Sequence, residues 1–250
     1  VITGYTSGGK AEIYVTGGTI GTDGKENGMI FGSSRGDVGA PGAIHDKLAW
    51  VYDTHVAIGD TTATTINTAT PLIKGSVYGG GENGHNLHST YVRVNGGTIG
   101  IDDTSDPDGG ANYEFRGNVY GGGCGTDTYS DGGKTYFNRL AGTAYGNTTV
   151  NVTGGHIVRN VYGGGAMGPV GTFTRESSTD PNMPGKITSC AEGTGICTVK
   201  VSGGKIGPAE MVMPNTYGNV FGAGRGEVRD LESYPNLERV IYVDSTYVEI

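Results

Sequence analysis

The stretch TTVNVTGGHIVRNVYGGG, at residues 148–165, decides the fold of this chain. Val150 and Val152 alternate with polar residues, and an alternation with a period of two predicts a strand that buries one face. The glycine pair at 154–155 permits positive φ, so the chain can turn there without strain. A second short strand over residues 156–162 precedes three more glycines. The stretch predicts one compact strand–turn–strand unit of about 20 residues.

The chain repeats both halves of this unit, with inserts of different length between the copies. The first half reads AEIYVTGGTIG, STYVRVNGGTIG, NTTVNVTGGHIV and CTVKVSGGKIG, at residues 11–21, 89–100, 147–158 and 197–207. The second half reads GMIFGSSRG, GSVYGGGENG, GNVYGGGCG, RNVYGGGAMG and GNVFGAGRG, at residues 28–36, 75–84, 117–125, 159–168 and 218–226. Repetition of this kind predicts stacked units, each of which needs the next to cover its apolar face.

We therefore expect an all-β fold built as a parallel β-helix, or β-solenoid, with long loop insertions. A β-propeller repeats at a similar length, but each of its blades needs four clear strands, and each copy here shows two. Residues 54–60, THVAIGD, resemble a worn copy of the first half, and residues 240–250, VIYVDSTYVEI, have the composition of two further strands. The chain starts without methionine and stops at a fresh repeat opening, STYVEI, so we expect residues 1–250 to form a single solenoid segment of a longer repeat protein.

The composition excludes several classes of protein. The chain has 49 glycines in 250 residues, but it lacks the glycine at every third position that collagen requires. Its regular β-branched pairs and 15 tyrosines argue against disorder. The net charge is −8 without any basic run, so nucleic acid is not an expected partner. No stretch approaches the roughly 20 apolar residues of a membrane span.

One aromatic residue recurs at the same position of every second-half copy, namely Phe31, Tyr78, Tyr120, Tyr162 and Phe221. In-register stacking of the units predicts that these rings form an aromatic ladder. The adjacent valines are expected to face the interior, so strict alternation places the rings outside; these valines are Val77, Val119, Val161 and Val220. Such a row suits the binding of sugar rings or of a partner protein, or else the rings pack on one another beneath the loops.

The loop IDDTSDPDGG, at residues 101–110, is the candidate metal site. Asp102, Asp103, Asp106 and Asp108 bring four carboxylates close together, and hard oxygen ligands at close spacing suit calcium. The loop lacks both the EF-hand order and the nonapeptide of calcium-binding solenoids, so a solvated acidic loop is the alternative. Calcium is the one cofactor that the sequence raises.

Three cysteines are present. Cys190 and Cys197 bracket the short loop CAEGTGIC, which a disulfide between two antiparallel segments would close. Two free buried thiols are the alternative, and a lone C-x6-C pair is poor zinc spacing.

Catalytic motifs are missing from the sequence. There is no Gly-x-Ser-x-Gly, and the triple glycines follow a strand without opening a helix. Arg93 and Lys200 occupy equivalent positions in two copies, where Tyr14 and Asn151 stand in the others. This variation indicates a tolerant outward position rather than a fixed active site. We expect no enzymatic activity.

The phrases VTGGTIG, GNVYGGG and VNVTGGHI resemble the Gly-rich repeats of large bacterial cell-surface and secreted β-helix proteins, including adhesin-like proteins. The resemblance covers nearly the whole chain except its inserts. It implies a right-handed parallel β-helix, extracellular or cell-surface display, and a structural, adhesive or filament-forming role, without transferring a catalytic residue. The expected partners are neighbouring repeats or other copies of the chain, and host or microbial glycans or surface proteins. The alternative function is a carbohydrate-binding or polysaccharide-degrading β-helix protein.

Overall fold

The valine alternation forms strands, and nearly all of them pair in parallel. The structure, a computed structural model, describes residues 8–22, 27–36, 49–59, 71–101, 116–209, 217–226, 231–237 and 240–250. It is mostly β, with parallel sheets and a half-barrel curl, which confirms the all-β class. In chain order the strands are β1 (Lys10–Val15), β2 (Thr19–Ile20), β3 (Ile30–Phe31), β4 (Trp50–Val51), β5 (Asp53–Ile58), β6 (Leu72–Ile73), β7 (Val77–Tyr78), β8 (His85–Asn86), β9 (Thr90–Val94), β10 (Thr98–Ile99), β11 (Val119–Tyr120), β12 (Thr128–Asp131), β13 (Lys134–Phe137), β14 (Thr148–Ile157), β15 (Val161–Tyr162), β16 (Phe173–Arg175), β17 (Ile187–Cys190), β18 (Ile196–Ile206), β19 (Val220–Phe221) and β20 (Ser245–Glu249).

The largest sheet has two halves. In the long-strand half, β1, β5, β9, β14, β18 and β20 pair in parallel in that order. In the short-strand half, β2, β6 and β10 pair in parallel and continue onto the C-terminal ends of β14 and β18. The prediction that residues 54–60 repeat the first half is confirmed by β5, which pairs with both β1 and β9 without a register shift.

A second parallel sheet contains β3, β7, β11, β15 and β19 in sequence order. A third pairing joins β4 to β8 and continues as single bridges from Asn86 to Ala144 and from Ala144 to Val170. The chain visits the long-strand half, the short-strand half and the second sheet in the same order each time. We call each such round a pass: β1 opens the first pass, and β5, β9, β14, β18 and β20 open the later ones.

Side chains at equivalent positions of successive passes lie in register and fill the interior between the sheets. The valines that precede the aromatic residues face inward as predicted, because Val77, Val119 and Val161 are fully buried and Val220 packs against them. Burying each such side chain stabilises the fold by about 1.5–3 kcal/mol. The buried members of this core are all valine or isoleucine: Val15, Val56, Ile58, Ile73, Val77, Val92, Val94, Ile99, Val119, Val150, Val152, Ile157, Val161 and Val199.

Two kinds of glycine set the geometry of a pass. The second glycine of each pair takes positive φ at the corner between the two halves of the largest sheet, as Gly97 (82°) and Gly155 (82°) show. This confirms the predicted role of the pairs. The first glycine of each triplet lies against the backbone of the next pass. A Cβ atom on Gly79 would overlap the carbonyl group of Gly121, and one on Gly121 would overlap that of Gly163. These glycines permit the close spacing of the strands.

Two inserts form antiparallel hairpins instead of plain loops. β12 pairs with β13 and β16 pairs with β17. Behind them, Phe137 and Met167 form a small buried cluster with Leu237 and Val240. In the described part of the chain, no helix is long and apolar enough to cross a membrane.

Candidate functional site

The aromatic residues of the second-half copies form the predicted ladder. Phe31 stacks on Tyr78 with 5.0 Å between the ring centroids, and Tyr78 stacks on Tyr120 at 4.6 Å. Tyr162 then lies 4.9 Å from Tyr120 on one side and 4.9 Å from Phe221 on the other. All four ring pairs lie within 19° of parallel. The distances between their centroids match the spacing of about 4.8 Å between neighbouring strands.

The expectation that these rings face outward is wrong for the three tyrosines. Tyr78, Tyr120 and Tyr162 are 1%, 0% and 7% exposed, so no sugar ring can reach their faces. The cause is the chain after the triple glycines at 121–123 and 163–165, which brings Cys124 and Ala166 against the rings. Burial raises the pKa of the Tyr78 and Tyr120 hydroxyl groups well above the usual value.

A row of threonines bridges the largest sheet and the second sheet across the interior. Thr54, Thr90 and Thr148 occupy one register position of the long-strand half. Their hydroxyl groups donate to the carbonyl oxygens of Gly79, Gly121 and Gly163, at 2.5, 2.5 and 2.6 Å. Each such bond contributes about 0.5–1.5 kcal/mol. This row was not predicted. Its signal in the sequence is a threonine two positions before the first inward-facing valine of β5, β9 and β14.

A second polar row joins successive passes by hydrogen bonds between side chain and backbone. The backbone N–H of Asn118 donates to Ser76 Oγ (2.9 Å), that of Asn160 to Asn118 Oδ1 (3.1 Å), and that of Asn219 to Asn160 Oδ1 (2.9 Å). Each side chain thus accepts a bond from the backbone of the next pass. The signal for this row is the asparagine that precedes valine in three of the second-half copies.

The outward face of the long-strand half is the candidate binding surface of the described residues. One row of this face contains Glu12, His55, Tyr91, Thr149, Thr198 and Tyr247, and the adjacent row contains Tyr14, Ala57, Arg93, Asn151, Lys200 and Glu249. The second row confirms that Arg93 and Lys200 occupy one outward register position. The mixture of aromatic, amide, hydroxyl and charged groups gives this face the chemistry of a binding surface.

Most charges on this face are already paired. Lys10 lies 2.6 Å from Glu12, and Lys200 lies 2.9 Å from Glu249. A hydrogen bond from Lys10 lowers the pKa of Glu12, and one from Lys200 lowers the pKa of Glu249. Desolvation lowers the pKa of His55, which keeps its imidazole neutral at pH 7.

Arg93 differs from these cations. Its Nε donates to Asn95 Oδ1 at 2.6 Å, and no carboxylate of the described chain pairs with its guanidinium group. Asn95 Oδ1 also accepts a hydrogen bond from Thr153 Oγ1 at 2.8 Å. Beside Arg93, Asn151 Nδ2 lies 3.5 Å from the Tyr91 hydroxyl oxygen, and the Tyr91 ring meets His55 edge-on at 4.8 Å.

The predicted disulfide is not formed, and all three cysteines are free. Cys197 is fully buried in the long-strand half, at the register position of Thr148, so its thiol points into the interior. Cys190 ends β17, where its Sγ lies 3.4 Å from Thr194 Oγ1. Burial raises the pKa of Cys197 to about 11.

The predicted calcium ligands Asp102, Asp103, Asp106 and Asp108 lie outside the described residues. Within the described ranges, no group of three or more His, Cys, Asp or Glu side chains is placed to hold a metal ion. Comparison with protein-family models, curated proteins and solved structures finds no match to the chain.

Proposed function

We propose that this chain is a segment of a right-handed parallel β-solenoid with a non-enzymatic, structural or adhesive role in a large extracellular or cell-surface bacterial protein. The observation that carries the proposal is the continuity of the side-chain rows from pass to pass. The asparagine row and the aromatic ladder join one pass to the next, and the threonine row ties the largest sheet to the second sheet within each pass. A chain whose most regularly repeated residues make the contacts that stack its passes is suited to form a long, stiff support.

The partner that fits this role is a further repeat, or another copy of the chain. β20 pairs with β18 alone among the described strands, and all five of its residues are exposed. Phe221, at the end of the aromatic ladder, is 43% exposed. An unpaired strand edge beside uncovered apolar side chains favours the addition of another strand.

Sedimentation over a wide concentration range tests the association. We expect the chain to form end-to-end oligomers, and we expect Phe221→Lys combined with Val248→Lys to abolish them because charge blocks the exposed edge. Leu231→Lys is the matched control, since Leu231 is also exposed but lies in a turn and not in a strand. A monomer at every concentration would count against a filament-forming role.

The alternative, a carbohydrate-binding or polysaccharide-degrading protein, depends on an exposed tyrosine row. Burial of Tyr78, Tyr120 and Tyr162 removes the ring faces that a sugar would need. A glycan therefore requires a different surface.

A further inference from the structure

We propose that the outward face of the long-strand half binds an acidic polysaccharide, with the Arg93 guanidinium group as the receptor for its carboxylate groups. This inference goes beyond the structural role and does not depend on it. It begins from the one cation on this face, among the residues that the structure describes, that lacks a carboxylate partner.

The guanidinium group of Arg93 has unused donors. Its Nε is bonded to Asn95 Oδ1, whereas neither Nη group has an acceptor in the described part of the chain. Arginine presents its N–H groups as a planar fork that matches the two oxygens of a carboxylate. Arg93 is half-buried on the sheet, so part of its solvation has already been removed.

Asn95 holds this guanidinium group in place. The Asn95 side chain is 8% exposed, and its Oδ1 accepts bonds from both Arg93 and Thr153. Its Nδ2 is buried without an acceptor among the described residues. A buried donor without an acceptor lowers stability by about 1–3 kcal/mol. If the Asn95 amide were flipped, however, its NH₂ group would face Arg93 Nε, which is also a donor. The observed orientation therefore holds the guanidinium group in place and leaves the Asn95 Nδ2 group without a hydrogen bond among the described residues.

The charges around Arg93 favour an anionic ligand at this position. The carboxylates of Glu12 and Glu249 are bonded to Lys10 and Lys200, so neither neutralises Arg93. The chain as a whole carries a net charge of −8, which would repel a polyanion elsewhere. A nucleic acid would need many clustered cations along its backbone, whereas a single fixed guanidinium group suits a carboxylate.

The neighbouring groups are of the kinds that bind sugars. The Tyr91 ring and the Asn151 amide lie next to each other, and Thr149 stands beside Tyr91 in the adjacent strand. An aromatic ring offers an apolar surface, and the amide and hydroxyl groups offer hydrogen bonds for sugar hydroxyls. Because these positions continue across six parallel strands, the face accommodates an extended chain rather than a small molecule.

Calorimetric titration with uronate oligomers tests the proposal. The probes are oligogalacturonate, alginate and hyaluronan oligomers, and the neutral control is a carboxyl-reduced oligogalacturonate of the same length. We expect binding of at least one acidic probe, at least tenfold weaker binding by Arg93→Gln, and loss of binding when the carboxylates are reduced. Arg93→Lys should recover part of the affinity, because it restores charge without the fork.

Lys134→Gln is the matched control, since it also removes one cation but lies exposed in the β12–β13 hairpin, outside the proposed binding face. We expect it to bind within about twofold of the unmodified chain, with a melting temperature for each variant that shows an intact fold. The proposal is overturned if no acidic probe binds, if the neutral probe binds equally well, or if both variants lose affinity equally. Sedimentation reports separately on end-to-end association, so either proposal can fail alone.

Discussion

Tyr120 lies at the centre of the aromatic ladder, between Tyr78 at 4.6 Å and Tyr162 at 4.9 Å. Its side chain is fully buried, but its hydroxyl group has no hydrogen-bond partner in the described chain. The ring and the hydroxyl group should therefore affect stability in different ways.

We expect Tyr120→Ala to lower the free energy of unfolding by about 3–5 kcal/mol, because it removes a buried ring and two stacking contacts. Tyr120→Phe should leave the stability unchanged or raise it slightly, since it deletes an unsatisfied buried donor. Urea unfolding measures both changes. Tyr14→Ala is the control, because Tyr14 is 56% exposed and should change stability by no more than about 0.5 kcal/mol. Equal losses for the two Tyr120 variants would contradict the assignment.

The three cysteines should differ in reactivity. Cys190 is half-buried, whereas Cys124 and Cys197 are buried and burial raises the pKa of both thiols. Because the thiolate is the reactive form, we expect Ellman's reagent at pH 8 to label one thiol, Cys190, in the folded chain and three after denaturation. Cys190→Ser should remove the fast reaction. A single reactive thiol after denaturation without reductant would instead indicate the Cys190–Cys197 disulfide.

At the scale of the strand, the first glycine of each triplet controls how closely two passes approach. We expect Gly121→Ala to destabilise the chain by more than about 4 kcal/mol or to prevent folding, because the added methyl group overlaps the backbone of Gly163. Gly17→Ala is the control, since Gly17 has no atom within 4 Å of the added Cβ and no positive φ. Circular dichroism and chemical unfolding compare the two. A Gly121→Ala chain as stable as the control would mean that the strands can separate freely.

The strands themselves could be predicted because period-two valines and glycine corners are local signals. β5 was recognisable from THVAIGD even though its glycine pair is missing. The burial of Tyr78 was not predictable by alternation, because β7 has only two residues and both are covered, one by each cluster. Alternation describes a strand that lies between water and one core, whereas β7 lies between two buried clusters.

The candidate surface was only partly predictable for a related reason. The outward register of Arg93 followed from the repeat, and its variation in other copies argued against a fixed active site. The hydrogen bond from Thr153 to Asn95 depends on two adjacent passes meeting in space, whereas Arg93 reaches Asn95 within its own pass. No sequence signal gives the partner of an outward side chain when about 60 residues separate the two copies that contribute it.

At the scale of the whole molecule, stability should vary along the stack of passes. β14 has a strand on each side and contributes the buried core residues Val150, Val152 and Ile157, whereas β20 has one partner and exposed side chains. In a stack where each unit contacts only its neighbours, opening begins at the unit with the fewest contacts.

We expect native-state hydrogen exchange to show the slowest amides in β9 and β14 and amides at least tenfold faster in β20, at a protein concentration where the chain is monomeric. The difference should shrink as urea approaches the unfolding midpoint, because global unfolding then exposes every strand. Equal protection of β14 and β20 in water would mean that all passes open as one cooperative unit. Raising the protein concentration gives the second comparison: if copies associate through the exposed edge, exchange in β20 slows while exchange in the β12–β13 hairpin does not. Unchanged exchange in β20 within oligomers would place the contact elsewhere on the molecule.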